Sequence, residues 1–93
     1  MTPNIRVLIV DDSLMMRRLL TEILGGAPGI EVAGAAGDAA SAREMLLSAR
    51  PYVITLDVKM PGTDGLAILV EIMRERPTPV VMVSYFTQEG AKS

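Results

Sequence analysis

Four short apolar runs, spaced by segments of helical periodicity, set the narrowest bounds on what this chain can fold into. The first, Ile5 to Val10, is nearly continuous in apolar character (Ile-Arg-Val-Leu-Ile-Val), as a strand covered on both faces of a parallel sheet must be. It stops abruptly at Asp11-Asp12-Ser13. Either Asp12 or Ser13 can cap the helix that follows, whose apolar positions Met16, Leu19, Leu20, Ile23 and Leu24 recur at helical spacing before Gly25-Gly26 ends it. Ile30 to Ala35 reads as a second strand; Glu31 and small residues interrupt it, which places it near a sheet edge. Asp38 is an expected N-cap, and Ala42, Met45, Leu46 and Ala49 form the buried stripe of a second helix closed by Arg50-Pro51. Tyr52 to Leu56 is the third strand, with Tyr52 packing at its start. A stretch of turn formers, residues 58–65, leads to a third helix expected to bury Leu66, Leu69, Val70 and Met73. Val80 to Val83 is the fourth strand, ending at Ser84.

The alternation β-α-β-α-β-α-β implies an α/β domain with a doubly wound parallel sheet, right-handed crossovers and helices on both faces. Ligands of such sheets bind outside the carboxyl ends of the strands, and the polar residues here collect there. Asp11 and Asp12 end the first strand, Asp57 the third and Ser84 the fourth. If the second strand lies on the far side of the first, the first and third are neighbours and three carboxylates converge. Such a cluster repels itself unless a cation, a proton or a basic side chain compensates. The chain has no His and no Cys, so oxygen is the available donor and the preferred cation is hard, Mg2+ or Mn2+. An incoming phosphoryl group suits that centre. Asp57, standing alone, is the best placed nucleophile, and Asp11 and Asp12 are better placed to hold metal.

The same two absences exclude imidazole bases, phosphohistidine, thiolate metal sites and disulfides. Nine basic against eleven acidic residues leave a net charge of −2, with the basic side chains scattered, which argues against direct binding of nucleic acid or an anionic membrane. Apolar runs far shorter than the roughly 18 residues of a membrane span, and a start without a signal-peptide pattern, point to a cytoplasmic protein. No glycine-rich nucleotide-binding loop occurs. Tyr85 and Phe86, two of three aromatic residues, adjoin Ser84; at least one is expected to face solvent or a partner. The seven Met suit an adaptable core.

Three segments, Val-Leu-Ile-Val-Asp-Asp-Ser (7–13), Leu-Asp-Val-Lys-Met-Pro-Gly-Thr-Asp-Gly (56–65) and Pro-Val-Val-Met-Val-Ser (79–84), resemble the receiver domain of two-component response regulators. The stretches around Asp12, Asp57 and Ser84 look most like the receiver of the chemotaxis protein-glutamate methylesterases. The resemblance implies a flavodoxin-like sheet of order 2-1-3-4 and a phosphoacceptor at Asp57, loaded by a histidine kinase or a small acyl phosphate. It also implies Mg2+ held by Asp12, Asp57 and the backbone carbonyl of Lys59, with Asp11 acting through a water. Ser84 matches the switch hydroxyl, and the surface around Tyr85 and Phe86 would carry the output to another domain or partner. The receiver itself is not a conventional enzyme; a longer parent would be a methylesterase.

The family also carries a fifth strand, its lysine and a fifth helix, none of which precedes Ser93. The expectation is a C-terminally incomplete receiver over residues 1–93, with the fourth strand as an exposed edge. It would be either a fragment or a homodimer formed through that strand or an exchanged element. Phosphotransfer without the lysine would be slow. Two readings compete with a phosphoaccepting switch. One is a receiver-like module that only self-associates or docks a partner; the other is a metal-dependent phosphohydrolase, whose usual Asp-x-Asp loop is not matched by the adjacent pair here.

Overall fold

The computed structural model of the chain describes residues 4–57, 59–60 and 63–83. Ser84, Tyr85 and Phe86 lie outside them. In order, the elements are β1 (Ile5–Val10), α1 (Leu14–Gly25), β2 (Ile30–Ala36), α2 (Ala39–Ala49), β3 (Val53–Asp57), β4 (Lys59–Met60), β5 (Thr63–Asp64), α3 (Gly65–Glu75) and β6 (Val80–Val83). Four strands form one parallel sheet of order β2-β1-β3-β6, the order expected for a doubly wound α/β domain whose second strand crosses to the far side of the first. β2 is an edge strand, as its broken apolar pattern implied. The stretch read as a loop instead contains a small antiparallel pair, β4 with β5.

Local signals account for the ends of the helices. Ser13, and not Asp12, caps α1, its Oγ accepting from the Met16 N–H at 3.2 Å. Asp38 caps α2 by accepting from Ser41 N–H at 2.8 Å. At the C-terminus of α2, Arg50 takes a left-handed conformation (φ 49°) and hands the chain to Pro51.

The core lies on one face of the sheet. Leu8 and Val10 of β1, Ile54 and Leu56 of β3 and Ala36 of β2 meet Ala42 and Leu46 of α2 and Ile68 and Ile72 of α3. Small residues in β2 permit this approach: a side chain at Gly34 would press on Met45 of α2. Between Val7 and Leu8 the pairing with β2 slips by one residue, Ala33 being the extra one. On the opposite face lie Val7 and Ile9, the alternate residues of β1, with α1 across β1 and β2.

Three burial expectations change. α3 turns Ile68 and Ile72 inward with Leu69 beside them, leaving Leu66, Val70 and Met73 exposed. This helix is apolar almost all round (Leu-Ala-Ile-Leu-Val-Glu-Ile-Met), so its sequence offers two candidate stripes and contact with α2 and the sheet selects one. In α1, Leu19 and Ile23 are exposed and no residue is fully buried, because the helix covers only the β1–β2 side of its face. Tyr52 stands before β3 and is exposed, its N–H donating to the Arg6 carbonyl at 2.8 Å.

Candidate functional site

The carboxyl ends of β1 and β3 lie side by side, with Val10 paired to Leu56, so the residues that follow that pair, Asp11 and Asp57, are neighbours by register. Asp12 is brought in by the turn into α1. Carboxylate oxygens of Asp11, Asp12 and Asp57 lie within 4.8 Å of one another. The convergence expected from strand order is therefore present. Asp11 is 1% exposed and Asp57 5%, whereas Asp12 is open to solvent: the cluster has a buried floor and one exposed wall.

Hydrogen bonds fix the floor. The Asp11 N–H donates to the Ala36 carbonyl at the end of β2 at 3.0 Å. Its carboxylate Oδ1 accepts from the Ser13 N–H at 2.9 Å, and its carbonyl accepts from Arg17 Nη1 at 2.7 Å. Asp11 Oδ2, by contrast, is buried with no hydrogen-bond partner. A buried, unsatisfied carboxylate oxygen is costly. Two full negative charges at the separation seen here repel by roughly 3–4 kcal/mol at an effective dielectric of about 20. A divalent cation among the three side chains would relieve both costs. The donor set, carboxylate oxygen throughout, suits a hard ion that keeps several waters, and the exposed side at Asp12 provides room for them.

Of the other expected site residues, Lys59 opens β4 two positions after Asp57, its backbone pairing with Asp64. Ser84, Tyr85 and Phe86 fall outside the described residues. Two contributors escaped the reading of the sequence. The Ser13 N–H, besides Ser13's role as cap, holds Asp11; and Arg17 reaches the Asp11 carbonyl from the first turns of α1. Nothing in a single sequence marks Arg17 apart from Arg18 beside it; only its position four residues after the cap, on the side of α1 that returns toward the strand end, carries a signal.

A family model for the response regulator receiver domain matches residues 7–92. Among curated proteins, the chain is 59% identical over 87 residues to protein-glutamate methylesterase/protein-glutamine glutaminase 1 of Xanthomonas campestris pv. campestris, covering 94% of this chain and 24% of that protein. It is 58% identical over 86 residues to the protein of the same name from Dechloromonas aromatica, covering 92% and 25%. The chain thus spans about a quarter of the length of these relatives. Among solved structures, the response regulator domain of Thermotoga maritima CheB matches with a TM-score of 0.83 at 45% identity, over 94% of this chain and 65% of that one. A chain of the CheX–CheY–BeF3–Mg2+ complex from Borrelia burgdorferi matches with a TM-score of 0.79 at 30% identity, over 97% of this chain and 69% of that one.

Proposed function

The chain belongs to the response regulator receiver domain family, and from that premise we propose that it is a cytoplasmic phosphorylation switch that accepts a phosphoryl group on Asp57. The observation that carries this reading is the convergence of Asp11, Asp12 and Asp57 around a buried carboxylate oxygen without a partner. The donor would be a histidine kinase of a two-component system of the chemotaxis type, a reading supported by the likeness to protein-glutamate methylesterases and to a CheB receiver.

In this reading Asp12, Asp57 and the Lys59 backbone carbonyl would hold Mg2+, with Asp11 acting through a water; bound there, it would supply positive charge for the oxygens of the incoming phosphoryl group. A carboxylate oxygen of Asp57 attacks the phosphorus, and the bond from phosphorus to the donor's imidazole nitrogen breaks, the electron pair leaving with that nitrogen. Burial of Asp57 excludes bulk water from its approach, and the repulsion among the three carboxylates keeps the site dependent on the cation. The acyl phosphate adds a charge of about −1.5 to −2. Ser84, one residue beyond β6, would turn its hydroxyl toward that charge and alter the surface at Tyr85 and Phe86, so that an output domain or partner protein reads the change. By analogy with the much longer curated relatives, that output is a methylesterase domain. Among the described residues β6 is an edge strand of the sheet, and a second copy would pair there.

Incubation with acetyl phosphate and Mg2+ followed by intact-mass measurement tests the proposal. One phosphoryl group is expected on the natural chain, and none on Asp57→Asn or after chelation of the metal. Equal labelling of Asp57→Asn would overturn it, and so would an unlabelled natural chain.

A further inference from the structure

Arg17 is placed oddly for a cation beside three acids. Its Nη1 donates to the backbone carbonyl of Asp11 at 2.7 Å, a main-chain oxygen and not a carboxylate. A guanidinium paired with Asp12 would have neutralised part of the cluster; one directed at the carbonyl between Asp11 and Asp12 does not use up the Asp12 carboxylate and fixes the peptide that joins the two residues. The same nitrogen sits against the turn after β2. A Cβ built on Gly37 would fall 3.1 Å from Arg17 Cζ and 2.7 Å from Nη1, the latter closer than real Cβ atoms come. Gly37 adjoins Asp38, the cap of α2, whose carboxyl is held below the usual range by the hydrogen bonds from Ser41 and, to a smaller degree, by the Arg17 charge. One side chain of α1 therefore bonds the end of β1 and lies against the β2–α2 turn.

We propose that Arg17 is a positioning residue of the acidic centre. It holds the Asp11–Asp12 peptide in the orientation in which the three carboxylates converge, and residue 37 is glycine because that guanidinium needs the space. This rests on the metal-binding reading above.

Two effects of Arg17 on a bound cation have opposite signs, which makes the role testable. As a nearby positive charge it opposes a divalent ion; as a clamp on the Asp11 carbonyl it favours one, through a charge-assisted hydrogen bond. Gly37→Ala separates them. It keeps the charge, and the atom it displaces is the far end of a flexible side chain. Gly37 also lies outside the left-handed region, where Gly29 alone among the described glycines is found. Alanine at 37 should therefore leave stability intact or raise it while moving the guanidinium off the carbonyl.

The measurement is Mn2+ affinity of the full chain by electron paramagnetic resonance, with thermal melting in parallel, for the natural chain, Arg17→Gln, Gly37→Ala and the double variant. Each single change is expected to weaken Mn2+ binding about five- to tenfold, less than the full worth of one charge-assisted hydrogen bond, because no metal ligand is itself removed. The double variant should bind no worse than Arg17→Gln alone, and Gly37→Ala should melt no lower than the natural chain. Arg17→Lys, which keeps the charge without the planar fork, should be impaired as well. Tighter binding by Arg17→Gln would overturn the proposal, leaving the charge as the whole effect; so would unchanged affinity in Gly37→Ala, or losses that add in the double variant. A natural chain that binds no Mn2+ would overturn the metal-binding reading itself and the clamp with it.

Discussion

The two faces of the sheet are built unequally. Toward α2 and α3, nine buried residues from five elements interlock, with Leu8, Leu46, Ile54 and Leu56 all but inaccessible. Toward α1, Val7 and Ile9 are covered, yet α1 buries none of its own residues completely. Met15 is 77% exposed, Ile23 57%, and Val81 of β6, across the sheet, 54%. Since apolar burial is the main favourable term in folding, the face of α2 and α3 carries most of the stability of the described residues. The α1 face carries the site. Asp11, Asp12, Ser13 and Arg17 all belong to the turn into α1 or to its first turns, and hydrogen bonds hold Asp11, Ser13 and Arg17 in place. Strength and chemistry are thus divided: the packed side fixes β1 and β3 next to each other, and the polar turn sets the angle at which the acids leave those strands.

The largest expected effect breaks the comparison if it fails. Leu46→Ala removes a side chain that is 1% exposed at the centre of the packed face and should cost about 3 kcal/mol, within the range of buried leucine truncations. Ile23→Ala, on α1, should cost well under about 1 kcal/mol. Urea denaturation of both measures the difference. Equal losses would mean that α1 is as well packed as α2.

Most of the fold could be read from the chain because its signals act locally and agree with one another. The four runs starting at Ile5, Ile30, Tyr52 and Val80 are strands, within a residue at their ends, and the caps at Ser13 and Asp38 belong to the helices that the spacing of their apolar residues marks. The acidic centre was legible for the same reason: residues that end neighbouring parallel strands must meet, so Asp11 and Asp57 follow from strand order alone. What could not be read depends on tertiary choice. α3 has apolar residues on every side, so only contact with α2 decides that Ile72 is buried and Met73 exposed. The pairing of Lys59 with Asp64 lies within eight residues whose Pro and Gly content reads as a loop. Arg17 depends on the direction its side chain takes from α1, toward the Asp11 carbonyl and the turn at Gly37, and no periodicity records it.

A smaller effect sharpens the division between strength and site. In Ser13→Ala the helix cap is lost, because Ser13 Oγ no longer accepts from the Met16 N–H, but the backbone N–H that holds Asp11 Oδ1 is kept. Loss of about 1 kcal/mol of stability is expected, read by thermal melting, with the extent of phosphorylation by acetyl phosphate unchanged. A large fall in phosphorylation with no loss of stability would show that the Ser13 hydroxyl serves the acids and not the helix.

The smallest effect has the opposite sign and tests whether the packed face is already at its optimum. Arg50 holds the left-handed conformation (φ 49°) that ends α2. This conformation crowds the Cβ of any residue but glycine. Its side chain is exposed, so little packing is lost by removing it, while Pro51 just beyond is almost fully buried and fixes where the chain must go. Glycine at 50 relieves the crowding but gives the unfolded chain more freedom, and the two effects partly offset. Arg50→Gly should therefore gain about 0.5 kcal/mol, measured as a shift of the urea midpoint to higher concentration. A shift to lower concentration would mean that the Arg50 side chain contributes to the junction of α2 with β3, and that the packed face extends past the end of its helix.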